Sequence, residues 1–284
     1  VPELPEVQAL CADVATRAVG CTVVAVWPSS FSVLKTVIPG PEDLTGLEVA
    51  EVLRRGKFLC LRAGDLWLCT HLARAGWLRW TQARAPVRVG GPIALRVLLG
   101  PQDSAGGFDL TEAGTKKKLA VHIVRDPMEV PGIARLGPDP LELSTADLAG
   151  ILQGRRTQLK GLLRDQAVIA GVGNAYSDEV LWSAQLSPFK QAGSLTGPEV
   201  QRLHGALLST LHTAIERASG VPAAGLKSQK KAALAVHTRT GLPCPRCGDT
   251  VREVSFADSS LQYCPTCQTG GKPLADRRMS RLLR

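Results

Sequence analysis

No apolar run in this 284-residue chain approaches the length of a membrane span, and no charged leader with an apolar core opens it. A cytoplasmic protein without membrane segments is therefore expected. Internal repeats and low-complexity tracts are also missing. With 44% hydrophobic and 21% charged residues the composition is that of a folded domain, and the length suffices for one large core or two modest ones. Acidic residues are scarce in one half only. Residues 1–150 carry 16 basic and 16 acidic side chains, whereas residues 151–284 carry 18 and 9, so the whole formal excess of +9 is C-terminal. A neutral half joined to a basic half suits a nucleic-acid binder in which one domain grips phosphate, although a basic half is also compatible with a merely solvated surface.

What is present divides by period. From Pro2 to Ala18, the apolar residues Val7, Leu10, Val14 and Ala18 recur at helical spacing. Short apolar runs then follow at Cys21–Trp27, Val49–Arg54, Phe58–Leu61, Leu66–His71, Trp77–Trp80, Ala94–Leu99 and Leu119–Val124, separated by turn residues, which predicts a β-sandwich. Pro131–Leu143 breaks every period and reads as a linker. Beyond it, helices are predicted over Thr145–Leu152, Thr157–Ala167, Ala175–Ala184 and Pro198–Ser219, the last opened by a Thr196/Glu199 capping box. The expected fold class is α+β. A catalytic helix-plus-sandwich domain occupies residues 1–131, a linker 132–144, a helical domain 145–235, and a finger with a basic tail 236–284.

Three patterns carry chemistry. Cys244-Pro-Arg-Cys247 and Cys264-Pro-Thr-Cys267, sixteen residues apart, have the spacing of a four-thiolate site for one structural zinc ion, with a hairpin between the pairs. Cys11, Cys21, Cys60 and Cys69 lack ligand spacing and read as core. Gly171-Val172-Gly173-Asn174 joins two helical segments, with Arg155, Arg156, Lys160 and Arg164 nearby; it is either a plain turn or a place where backbone approaches phosphate at a helix N-terminus. Pro2-Glu3-Leu4-Pro5-Glu6 places prolines and carboxylates at a helix start, where both are favoured on local grounds alone.

Taken in order, Pro-Glu-Leu-Pro-Glu, Arg54-Arg55-Gly56-Lys57, Lys160 through Gln166 to Gly-Val-Gly-Asn-Ala-Tyr176 and the four-cysteine finger resemble the bacterial formamidopyrimidine-DNA glycosylase and endonuclease VIII family over nearly the whole chain. His71-Leu72 with Gly76, Leu136-Gly137-Pro138-Asp139-Pro140-Leu141 and Val236–Cys244 add to the match. The resemblance implies a helix-two-turn-helix domain and a monomer acting on damaged duplex DNA. It further implies that the protein removes oxidised bases and cleaves the abasic site by β,δ-elimination through an N-terminal proline Schiff base. On that pattern Pro2 is the nucleophile, Glu3 the proton donor to the sugar, Glu6 a second carboxylate and Lys57 a phosphate ligand beside the lesion. Lys160, Asn174, Gly171, Gly173, Arg74 and Arg239 fall on DNA contacts, and the target base would be flipped into a cleft between the domains. A DNA-binding module without chemistry, or a ribosomal-type helix-two-turn-helix protein, are the competing readings.

Departures from the family pattern bear on lesion choice. Arg74 stands where the family's first void-filling residue is apolar, and Thr111–Lys118 replaces the strand turn that carries the other two. Ser259 stands at the place of the finger-tip arginine, and Leu226–Ala235 is too short and Lys-rich for a long lesion-covering loop. Lys116–Lys118 reads as a new DNA contact or a solvated hairpin tip. Of the five histidines only His71 has local support, for packing or hydrogen bonding rather than catalysis, while Trp77 and Trp80 read as sandwich core. Val1 would make the Pro2 nitrogen an amide; read as a translated GTG start in an Arg-rich, Lys-poor sequence, it is expected to be an initiator that is trimmed.

Overall fold

The structure, a computed structural model, describes residues 2–29, 31–100, 106–113, 117–256 and 259–275. The expectations for Val1, Lys116 and the basic tail beyond residue 275 lie outside these residues. The chain divides into two compact units. The first runs to Leu136 and also takes in Arg217–Leu226; the second comprises Gly137–Glu216 and the chain from Lys227 onward.

In the first unit, α1 (Leu4–Ala18) buries Leu4, Val7, Leu10, Val14 and Ala18, the stripe its period predicts. The strands are β1 (Val23–Pro28), β2 (Val49–Arg55), β3 (Phe58–Ala63), β4 (Leu66–His71), β5 (Gly76–Thr81), β6 (Ile93–Leu99), β7 (Gly106–Glu112) and β8 (Ala120–Val124). They form two antiparallel four-stranded sheets, β1-β6-β7-β5 and β2-β3-β4-β8, whose facing residues share one core with α1. The predicted sandwich is therefore present, with one strand more than the sequence suggested. That strand, β7, sits inside its sheet, although it carries Gly106, Gly107 and Asp109, residue types disfavoured in strands. Asp109 is tolerated in the interior because Arg96, its cross-strand partner on β6, meets it with two hydrogen bonds of 2.6 and 2.9 Å. Gly107 is required because an added Cβ would lie 1.9 Å from the Val97 carbonyl oxygen on β6. Gly107→Ala should therefore cost the first unit about 1–3 kcal/mol in chemical denaturation. Gly106→Ala should cost much less, since its Cβ would meet only the flexible end of Gln82, at 3.2 Å.

Arg217–Leu226, assigned from sequence to the helical domain, belongs to the first unit. Trp77 donates its indole N–H to Ala223 O at 2.8 Å, and Ala218, Ala223 and Leu226 join the sandwich core. The expected linker is likewise structured: α2 (Pro131–Ala134) occupies its start, and from Gly137 it is bound to the second unit by Gly137 N–H to Gln166 O (2.8 Å) and Ala170 N–H to Pro138 O (3.0 Å).

The remaining helices are α3 (Thr145–Leu152), α4 (Leu159–Arg164), α5 (Asn174–Ser183), α6 (Gly197–Ala218) and α7 (Leu226–Ala233). Helix α4 is shorter at both ends than its sequence period suggested, and α7 forms where only a short Lys-rich segment was read. The finger consists of β9 (Arg252–Ser255) paired antiparallel with β10 (Ser260–Tyr263), followed by α8 (Pro265–Thr269). Among the described residues no helix is long and apolar enough to cross a membrane.

Candidate active site, helix-two-turn-helix and zinc centre

The start of α1 holds two buried carboxylates: Glu3 is 2% and Glu6 3% exposed, and the Glu3 amide donates to Glu6 Oε2 at 2.8 Å. Pro2, directly before them, is buried too. Leu4, Val7 and Leu10 anchor this end of the helix in the core, so the acids enter the interior with it. The β2–β3 hairpin turns on Gly56 (φ +55°) and Lys57, with Arg55 opposite Phe58. Arg54 fastens that turn to the helix, donating from Nε to Gln8 Oε1 (2.8 Å) and from Nη1 to Gly56 O (3.2 Å). Its neighbour Lys57 drew the sequence reading, and Arg54 was passed over as one more basic residue of the motif. The tie to Gln8 spans 46 positions and leaves no local signal.

His71, at the end of β4, stacks tilted against Phe58 with centroids 4.8 Å apart, and its Nδ1 accepts the Ala73 amide at 3.3 Å. Burial, then the ammonium of Lys57 and then His122, push its pKa down to about 4. It is neutral at pH 7 and carries its proton on Nε2, which fits the expected hydrogen-bonding role. Arg74 is exposed in the β4–β5 turn, beside Ala73 at φ +51°. The side-chain ammonium of Lys117 donates to Glu112 O, and Glu112 Oε1 accepts the Lys118 amide at 2.7 Å, so this part of the basic run is bound into the fold. Cys11, Cys60 and Cys69 are buried core residues, and burial raises the Cys11 thiol to about 12, which leaves it unreactive at neutral pH.

In the second unit, Gln166 templates the glycine turn. It accepts the Gly171 amide at 3.0 Å and donates to Arg164 O (2.9 Å) and Val172 O (2.7 Å), holding Gly171 at φ +86°. Gly173 is the N-cap of α5, whose dipole end therefore lies at the turn. Lys160, which the resemblance sets on a DNA contact, lies inside the fold. It is 5% exposed, and its ammonium donates to Asn174 O (2.7 Å), Ser177 Oγ (2.8 Å) and Asp178 Oδ1 (2.6 Å). Three donors meet three internal acceptors, so the lysine holds the turn from inside. Asn174 likewise spends a side-chain N–H on Ser260 O at 2.8 Å, in the finger hairpin, and its buried Oδ1 has no hydrogen-bond partner among the described residues.

Asp178 and Glu179, both buried on α5, were missed in the sequence. Asp178 Oδ2 pairs with His237 Nδ1 (2.7 Å) and accepts the Gln262 amide (3.2 Å), which gives His237 the partner its sequence context did not suggest. Glu179 accepts the amides of Ala235, Val236 and His237 at 2.8–2.9 Å; burial raises its pKa against the lowering effect of those bonds. Adjacent acids within an otherwise apolar helical run were the available signal. Arg239, on the segment so held, is half-buried, and its Nε has no hydrogen-bond partner among the described residues.

The four finger cysteines converge. Their Sγ atoms all lie within 4.8 Å of one another, with Cys247–Cys264 at 3.4 Å and Cys244–Cys267 at 3.9 Å. A tetrahedral zinc with bonds of about 2.3 Å sets its sulfurs roughly 3.8 Å apart, so the cluster fits one structural zinc ion with no open position. Substituting serine for any of the four should release the metal and unfold the hairpin while the thermal transition of the sandwich persists. Less than about half an equivalent of zinc in freshly purified protein contradicts this site.

Comparison with known proteins matches the same three parts in the same order. Residues 1–105 match the formamidopyrimidine-DNA glycosylase N-terminal domain, 136–224 its H2TH domain, and 241–270 the zinc finger found in FPG and IleRS. The formamidopyrimidine-DNA glycosylase of Symbiobacterium thermophilum is 36% identical over 98% of this chain and 93% of its own length. A formamidopyrimidine-DNA glycosylase-like protein of Mycobacterium tuberculosis is 62% identical over 149 residues, 52% of this chain and 94% of that protein. Among solved structures, the Lactococcus lactis Fpg in complex with DNA containing an abasic site has a TM-score of 0.83 at 26% identity, covering 94% of this chain and 99% of that one. With family matches over residues 1–105, 136–224 and 241–270 and a glycosylase 36% identical over 98% of this sequence, the chain belongs to the formamidopyrimidine-DNA glycosylase family.

Proposed function

We propose that this protein excises oxidised bases from DNA and then cleaves the abasic site through a Schiff base on the Pro2 nitrogen, acting as a monomer. The observation that carries this reading is the pair of buried carboxylates directly after Pro2, tied through Gln8 and Arg54 to the Lys57 turn. A free secondary amine at Pro2 attacks C1′ of the damaged nucleotide while the glycosidic bond breaks and the base departs. Glu3 protonates the sugar ring oxygen as the ring opens, leaving an iminium cation at C1′. That cation is the electron sink for loss of the 3′-phosphate by β-elimination and then of the 5′-phosphate by δ-elimination, with Glu6 beside the opened sugar and Lys57 on the adjacent phosphate. Backbone phosphate is gripped by the glycine turn and the N-terminus of α5, with Arg239 supplying a guanidinium. Arg74, exposed on its turn, fills the gap left by the flipped base. Zinc holds the finger and takes no part in the reaction.

An abasic-site duplex incubated with the purified protein should be nicked, leaving phosphate on both flanking ends, while undamaged duplex stays intact. Binding without nicking would instead identify a recognition module of the same fold.

A further inference from the structure

We propose that Trp182 is a positioning residue for the zinc site: its indole N–H hydrogen-bonds to the sulfur of the ligand Cys244 and locks the first cysteine knuckle to helix α5. The Nε1–Sγ distance is 3.3 Å. An indole has one donor and no acceptor, so this bond uses its whole polar capacity on the sulfur. Arg246, between the two cysteines of the same knuckle, closes over the other side. Its guanidinium lies 4.3 Å from the Trp182 ring centroid and donates to Trp182 O (2.9 Å) and Ser183 O (3.4 Å), at the C-terminal end of α5. Cys244, Val236, Val251 and Cys264 form a small buried cluster against which Trp182 packs, so the bond sits in surroundings where a thiolate's charge is poorly screened by water.

A metal-bound thiolate carries substantial negative charge, and an N–H donor aimed at it withdraws part of that charge and fixes the sulfur's orientation. Partners of this kind typically contribute roughly 10–100-fold to metal affinity. The arrangement also gives α5 a contact with the finger at each end, Trp182 with Cys244 at one and Asn174 with Ser260 at the other. Zinc in the cysteine site therefore steadies the helix whose N-terminus forms the glycine turn.

The inference rests on the four cysteines holding a metal, and metal content of the wild-type protein tests that premise separately; a metal-free wild type would overturn the zinc assignment itself. With cobalt(II) in place of zinc, Trp182→Phe keeps the ring but loses the donor. The thiolate becomes a stronger electron donor, so the sulfur-to-cobalt charge-transfer band should move to lower energy. Transfer of zinc from this variant to a chromogenic chelator should be roughly 10–100-fold faster. Arg246→Ala retains the indole N–H and should leave the band in place. In the wild-type protein loaded with cadmium-113, the Trp182 indole proton should show a scalar coupling to the metal through sulfur, a readout that does not depend on any variant folding. Absence of that coupling, or a metal-loaded Trp182→Phe with an unshifted band and wild-type metal release, would overturn the proposal.

Discussion

Lys160→Ala should cost the second unit about 3–5 kcal/mol, because it strands the carboxylate of Asp178 in the interior. The two side chains are 7% and 1% exposed, and the lysine also supplies the donors that satisfy Asn174 O and Ser177 Oγ. Among the described residues, removing it leaves an anion with His237 and the Gln262 amide as its hydrogen-bond partners. Changing both members, Lys160→Met with Asp178→Asn, removes both charges while keeping their volume and should recover most of the loss in chemical denaturation. The same residue separates two accounts of DNA binding. A phosphate ligand lost from the interface lowers the salt dependence of binding by about one unit, whereas an internal strut leaves the slope unchanged in whatever fraction remains folded. A stable Lys160→Ala protein with a reduced slope contradicts the internal role.

The second large effect concerns the Pro2 nitrogen. Any residue retained ahead of it converts a secondary amine into a tertiary amide whose lone pair is delocalised into the carbonyl, and the proposed nucleophile disappears. Protein shown by intact mass to keep an extra N-terminal residue should bind abasic DNA but nick it more than roughly a thousandfold more slowly than protein beginning at Pro2. Pro2→Gly replaces the secondary amine with a primary amine that lacks the ring fixing its direction, and should fall sharply in nicking as well. Full activity in the extended form would move the nucleophile elsewhere, with Lys57 the first candidate.

Features written locally in the sequence were legible there. The paired cysteines, the stripe of α1, and seven of the eight sandwich strands each declare themselves within a few residues. Strand β7 did not, because its glycines and aspartate are explained only by neighbours on β6: the Val97 carbonyl that excludes a Cβ and the Arg96 that neutralises Asp109. Basic residues depend on distant partners in the same way. A lysine beside a glycine turn resembles a phosphate ligand until Asp178, eighteen positions later, claims its charge. The ties of Arg54 to Gln8 and of Trp182 to Cys244 escaped notice because they span 46 and 62 positions. Glu3 and Glu6 were singled out by resemblance to a family motif; composition and period alone gave them only a helix-start role.

Borohydride trapping on an abasic-site duplex addresses the chemistry most directly. Hydride reduces the iminium to a stable amine and freezes the protein on the sugar, and digestion followed by mass spectrometry then locates the bond. A covalent adduct on the peptide that begins at Pro2, carried by its ring nitrogen, is the result expected here. No adduct from protein that starts at Pro2 and demonstrably binds the duplex, or an adduct carried by Lys57, would contradict it.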